Sequence, residues 1–203
     1  FDPKKINQAE KEKLKSQLGI KEQIILGYSG SLGTWYLMDE MMAFFARLLQ
    51  RKPNAILLFV TQDDDHLIYE LAQKQGVPES HLIVRKANRN EMPLYLSIMD
   101  FSVMFIKPSF SKKASSPTKL GELMAMGVPV VCNGDVGDVE AIVTKYKAGV
   151  VLNELDDASF DSAIEKIIKD NDWFDVDLMR NGAVEYYDLD KGVEKYDRIY
   201  NDL

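Results

Sequence analysis

The chain has 203 residues, of which 46% are hydrophobic and 28% charged, with a formal net charge of −7. That length supports a sizeable core, as one large domain or two small ones, and the balance is that of a globular protein in water. The acid excess argues against nucleic acid as a partner. No apolar run approaches the ~20 residues of a membrane span, and a lone cysteine, Cys132, leaves no internal disulfide and points to a reducing compartment.

In chain order, the opening Phe1-Asp2-Pro3-Lys4-Lys5 has no starting Met and no signal-peptide pattern, so an excised fragment is expected. A first strand is predicted over Ile24–Tyr28. Gly27-x-x-Gly30-x-x-Gly33 follows it and precedes a helix, the position of a phosphate-cradling turn. The spacing is neither G-x-G-x-x-G nor a Walker loop, and alone it reads as turn chemistry. Met38, Met41, Phe45, Leu48 and Leu49 keep helical spacing up to Pro53, and Ala55–Val60 reads as a buried strand. Asp63-Asp64-Asp65 is predicted to start a helix with Leu67, Leu71 and Ala72 as its apolar face and Gly76 as its stop. Three acids before a helix are better used as cap and dipole complement than as metal ligands, so no metal is expected.

Further strands are predicted at Leu82–Val84, Phe101–Ile106, Val128–Cys132 and Gly149–Leu152, with a helix opening at Asn90-Glu91 and running through Leu94 and Ile98. Phe160, Ala163, Ile164, Ile167 and Ile168 mark another helix. Val193, Tyr196, Ile199 or Tyr200, and Leu203 mark the last. The alternation predicts an α/β fold: a Rossmann-like parallel sheet with helices on both faces, over residues 1–203, with a helical tail over 158–203.

The most informative stretch is Ser115–Val131. Ser116 is a suitable N-cap, Pro117 fits a first helical turn, and Gly127 is a helix stop. The unpaired amides of that helix start, with Ser115, Ser116, Thr118 and Lys119 beside them, form a place for phosphate. Glu122 falls between Leu120 and Leu123, close to the apolar seam, where a carboxylate needs a partner such as a ribose diol.

Glu122-Leu123-Met124-Ala125-Met126-Gly127-Val128-Pro129-Val130-Val131 resembles the donor-binding motif of the retaining glycosyltransferases of family 4, and Ile24–Gly33 resembles their first strand and glycine loop. The resemblance implies the second half of a two-domain GT-B fold, with an acceptor-binding N-terminal domain outside this chain. It implies a transferase that moves a sugar from a nucleoside diphosphate to an acceptor with retention, in surface polysaccharide or glycoconjugate synthesis, while the fragment alone is inactive. The nucleotide-sugar is the expected partner, no cofactor is implied, and the location is cytoplasmic or peripheral to the membrane. Gly30, Ser31 and Gly33 then face the diphosphate, Glu122 matches the ribose-binding position, and the end of the chain crosses back to the first domain. Two departures stand out. The family's first glutamate falls on Ala114, and the Arg and Lys usual after the glycine loop are replaced by Ser31, Leu32, Thr34, Trp35 and Tyr36. Lys119 is the expected replacement cation. Arg85, at the end of the third strand, is placed to meet a base or a phosphate, and Thr61-Gln62 faces the same crevice. Three rivals stay open: a nucleotide-binding module without catalysis, an epimerase of the same architecture, and a dinucleotide-binding oxidoreductase domain that would use Asp63 on a ribose.

Overall fold

The structure, a computed structural model, describes residues 1–169 and 172–201, with only the backbone of Lys195. The strands are β1 (Ile25–Ser29), β2 (Ile56–Val60), β3 (Leu82–Arg85), β4 (Phe101–Met104), β5 (Val130–Asn133) and β6 (Gly149–Leu152). All pair in parallel, in the order β3-β2-β1-β4-β5-β6. The chain winds outward from β1 in one direction, then returns to start β4 on its other side. A crevice therefore opens at the carboxyl ends where the winding reverses.

Alternation along the strands divides the interior into two cores. Leu26, Tyr28, Leu57, Phe59, Phe101 and Val103 face α2 (Met38–Arg51), α3 (His66–Lys74) and α7 (Asp157–Lys169). Ile25, Leu58, Val60, Met104, Val130 and Cys132 belong to the opposite core, with α1 (Gln8–Gln17), α4 (Met92–Leu96), α5 (Thr118–Met126), α6 (Val139–Lys145) and α8 (Val176–Tyr186). Both faces of the sheet are covered, so its strands are rich in apolar residues on both sides, and β2 is apolar at every position. Burial pushes the Cys132 thiol up to about 12, and the residue is part of the core.

Three helices escape the apolar-periodicity reading, each for a physical reason. α1 buries only Leu14, and its start is set by a capping box of Asn7 and Glu10. α6 spans just seven residues. α8 packs through Met179, Gly182 and Ala183, so one methionine and two small residues make its buried face in place of a stripe of large ones. α5 ends at Gly127, whose φ of 71° is the left-handed cap expected of a glycine stop.

Several local expectations are corrected. α3 starts at His66 behind Asp65, and its buried face is Ile68, Leu71 and Ala72, while Leu67 is exposed. Asp64 accepts from the His66 amide, but Asp63 turns away to the glycine loop. Pro117, not Ser116, is the N-cap of α5 and supplies no side-chain cap; the Ser116 hydroxyl lies 3.4 Å from the Tyr187 hydroxyl. The tail expected over 158–203 is of two kinds: α7 and α8 are built into the cores, whereas α9 (Leu189–Asn201) exposes Val193, Tyr196, Ile199 and Tyr200. Leu203 lies outside the described residues.

Candidate donor-binding cleft

Gly27 lies inside β1 with its Cα against Met99, where a β-carbon would come within 2.0 Å of the sulfur. Of the three glycines, Gly30 makes the turn. Its φ is 116°, a conformation open to glycine, and a β-carbon there would meet the Lys119 side chain at 3.0 Å. The Gly30 amide donates to Val60 O (2.9 Å) and the Leu32 amide to Asp63 Oδ2 (2.6 Å). The Asp63 amide in turn donates to Thr61 Oγ1 (3.1 Å). Two of the loop's amides are thus spent on holding its shape and are not free for a ligand. The Tyr28 hydroxyl donates to Ser31 O (2.5 Å) and fixes the loop from beneath.

The other wall begins after β4. Asn133, at the end of β5, accepts from the Ile106 amide (2.8 Å) and donates to Ile106 O (2.9 Å) and Gly134 O (2.9 Å). This buried amide pins the strand ends from which the chain departs toward α5. An antiparallel bridge between Tyr36 and Ile106 ties the glycine loop to the same place. α5 then starts without a side-chain cap: the Leu120 amide donates to Pro117 O (3.0 Å), and the Thr118 and Lys119 amides have no intrahelical acceptor.

Between these walls is a cleft of about 520 Å³, within the range of small-molecule sites. Its lining includes Gly30, Ser31, Tyr36, Thr61, Gln62, Asp63, Ala87, Arg89, Pro117, Thr118, Lys119 and Glu122. Lys119 stands out. Its side chain is 9% exposed, and Nζ is buried with no hydrogen-bond partner, 4.1 Å from the centre of the Tyr28 ring and 3.9 Å from that of Tyr36. Burial pushes its pKa down to about 7, against a smaller opposing pull from Glu122. Burial also raises both tyrosines, which therefore stay neutral. Glu122, mostly buried, is ion-paired with Arg89, and Arg89 also lies over the Phe1 ring at 4.7 Å.

The cleft thus gathers eight residues that the sequence placed at it: Gly30, Ser31, Thr61, Gln62, Pro117, Thr118, Lys119 and Glu122. Gly33, Ser115 and Ser116 are not among its lining residues. Arg85 is exposed and lies apart from it, donating to Val84 O at 2.8 Å. The basic side chain that reaches the cleft from the segment after β3 is Arg89, four residues further on. Its signal in the sequence was a second arginine in the same loop, but the loop's return path decides which one points inward. Tyr36 was noted only as standing where a cation was expected. Among the described residues no group of three or more His, Cys, Asp or Glu is placed to hold a metal, and no helix is long and apolar enough to cross a membrane.

Residues 10–183 match the family described as "Glycosyl transferases group 1". No curated protein matches the sequence significantly. Among solved structures, the chain resembles Anabaena Alr3699/HepE in complex with UDP-glucose (TM-score 0.80, 16% identity, 100% of this chain and 56% of that one). It also resembles WaaG, a glycosyltransferase involved in lipopolysaccharide biosynthesis (TM-score 0.69, 20% identity, 93% and 49%). A third likeness is the C-terminal domain of the glycosyl transferase group 1 family protein LpcC from Francisella tularensis (TM-score 0.65, 16% identity, 92% and 95%). The chain spans about half the length of the first two, and at these identities the likeness concerns the fold. With the match running through both walls of the cleft, the chain belongs to the glycosyl transferases group 1 family.

Proposed function

We propose that this chain is the donor-binding domain of a glycosyltransferase that moves a sugar, with retention, from a nucleoside diphosphate to an acceptor held by a second domain, in the synthesis of a surface polysaccharide or glycoconjugate. The observation that carries the reading is the meeting of the Gly30 turn, the uncapped start of α5 and the buried Lys119 amine in one cleft. A diphosphate laid there receives the first-turn amides and the positive end of the α5 dipole. Lys119 supplies the cation that the glycine loop lacks. As the sugar departs, negative charge grows on the diphosphate, and donors fixed in advance stabilise it without reorganising.

Glu122 sits one turn along α5 and lines the same cleft, and its carboxylate takes the ribose hydroxyls while exchanging or sharing Arg89. The oxidoreductase reading is disfavoured by Asp63, whose carboxylate is turned to the Leu32 amide and not left free for a ribose.

UDP-glucose is the first donor to try, because a solved relative in fold is in complex with it. Calorimetric titration with UDP-glucose, UDP, GDP and NAD tests the reading. Binding of a nucleoside diphosphate or its sugar, with none of NAD, is expected. Preference for NAD, or no binding of any of them, would overturn it.

A further inference from the structure

We propose that the cleft takes up its diphosphate ligand together with a proton, Lys119 being a neutral amine in the free protein and an ammonium when the diphosphate lies against it. The inference rests on the donor-binding reading above and concerns the chemistry of that same cleft.

The surroundings of Nζ decide its charge. From β1 it meets the face of Tyr28, and from the loop after β1 the face of Tyr36. Both are neutral phenols, and the Tyr28 hydroxyl already donates to Ser31 O. On its own helix, Glu122 exerts an attractive pull, but that carboxylate is engaged by Arg89, which brings a positive charge to the same cleft. From the end of β2, Asp63 is turned to the Leu32 amide. The helix N-terminus itself repels a cation.

Nothing among the described residues accepts a hydrogen bond from this amine. A buried ammonium without an acceptor loses its hydration with little in return, even with two ring faces beside it. Burial accordingly brings the group to about 7, against an ordinary 10.5.

A diphosphate reverses each of these conditions. Its oxygens accept from Nζ, its negative charge favours the ammonium, and it screens the helix dipole from the cation. The step is a simple protonation: the amine lone pair forms an N–H bond as the buffer acid's bond to that proton breaks, its electron pair staying on the buffer base, and no bond of the diphosphate changes. Above pH 7, binding should then be weakened by rising pH, up to about tenfold per pH unit while the free amine is neutral and the bound one charged. Below pH 7, where the amine is already protonated in the free protein, the dependence should flatten. Lys119 thereby favours dianionic diphosphates over uncharged nucleosides by more than contact alone, because only the former bring the charge that completes it.

The test is calorimetric titration of this chain with UDP-glucose and GDP-mannose, whose diphosphates have no ionisation between pH 6 and 8.5. Repeating it in buffers of different ionisation enthalpy counts the protons. For whichever donor binds, uptake should approach one proton at pH 8.5 and fall toward none at pH 6, with affinity declining above pH 7. Lys119→Arg, charged throughout, and Lys119→Met, never charged, should each bind with no proton uptake and a flat pH profile, the second more weakly. Donor binding without uptake at pH 8.5 overturns the proposal and leaves the donor-binding reading standing. Uptake that persists in both variants overturns it too, by assigning the proton to another group. Failure of both donors, and of UDP and GDP, removes the donor-binding reading and this proposal with it.

Discussion

A lysine enclosed by two aromatic rings has consequences for the fold as well as for the ligand. The Lys119 amine has a folded-state value of about 7 against 10.5 for the ordinary group. Between those values the unfolded chain holds the proton and the folded chain does not, so unfolding takes up a proton and stability rises with pH across that window. Below about pH 7 both states are protonated and the dependence ends. Lys119→Met should therefore stabilise the ligand-free domain at pH 7 and abolish the rise in stability between pH 7 and 9.5, as read from urea midpoints at the two values. A wild-type midpoint that is flat over the same interval would contradict the buried neutral amine. Glu122 is a different case, since its partner Arg89 is largely exposed and the pair adds little to stability. Glu122→Ala should leave the urea midpoint nearly unchanged while weakening donor binding by about 1.5–3 kcal/mol, the worth of hydrogen bonds to a charged group. Unchanged affinity in calorimetry would remove the ribose role.

At the scale of elements, the two ends of the helical tail make opposite predictions. α7 closes one core: the Phe160 ring stacks on Phe105 (5.8 Å, 5° between planes) and meets Phe44 edge-on (5.5 Å). Arg47 on α2 bridges to Asp157 and Asp161 on α7. Phe160→Ala should cost about 3–5 kcal/mol, the usual range for a buried aromatic, and a small shift in the denaturation midpoint would show that α7 is a detachable tail. α9 is amphipathic in sequence, yet Tyr196 is 66% exposed and Tyr200 71%. Ending the chain after Asp188 should therefore leave both the unfolding midpoint and donor affinity within experimental error of the full chain. A loss of cooperativity would mean that α9 is part of the folding unit.

For the molecule as a whole, the basic residues lining the cleft are Lys119 and Arg89, and the proposed function assigns the diphosphate's charge to them and to the helix amides. Donor binding should be indifferent to EDTA. An affinity that collapses in chelator and returns with magnesium or manganese would show that a metal shares the diphosphate.

How much of this the chain announces can be followed residue by residue. Apolar runs such as Ile56–Val60, buried at every position, and the Gly127 stop declare strands, helix ends and a doubly covered sheet, because those depend on local propensity and on the period of burial. The helix start beside Lys119 was legible to within one residue from the proline at its first turn, although the Ser116 cap read from the sequence is not made. The tertiary structure alone decided what each charge meets. Arg89 and Arg85 are equally basic in the sequence, but the path of one loop sends the first to Glu122 and leaves the second outside. Asp63 looks like a helix start and becomes the brace of the glycine loop. Tyr36, apparently a poor substitute for a cation, becomes half of the enclosure around Lys119, and that enclosure sets the amine's charge. Local order follows from neighbours in the chain; hydration and charge follow from neighbours in space, which here come from β1, its following loop and α5, elements separated by some eighty residues of sequence.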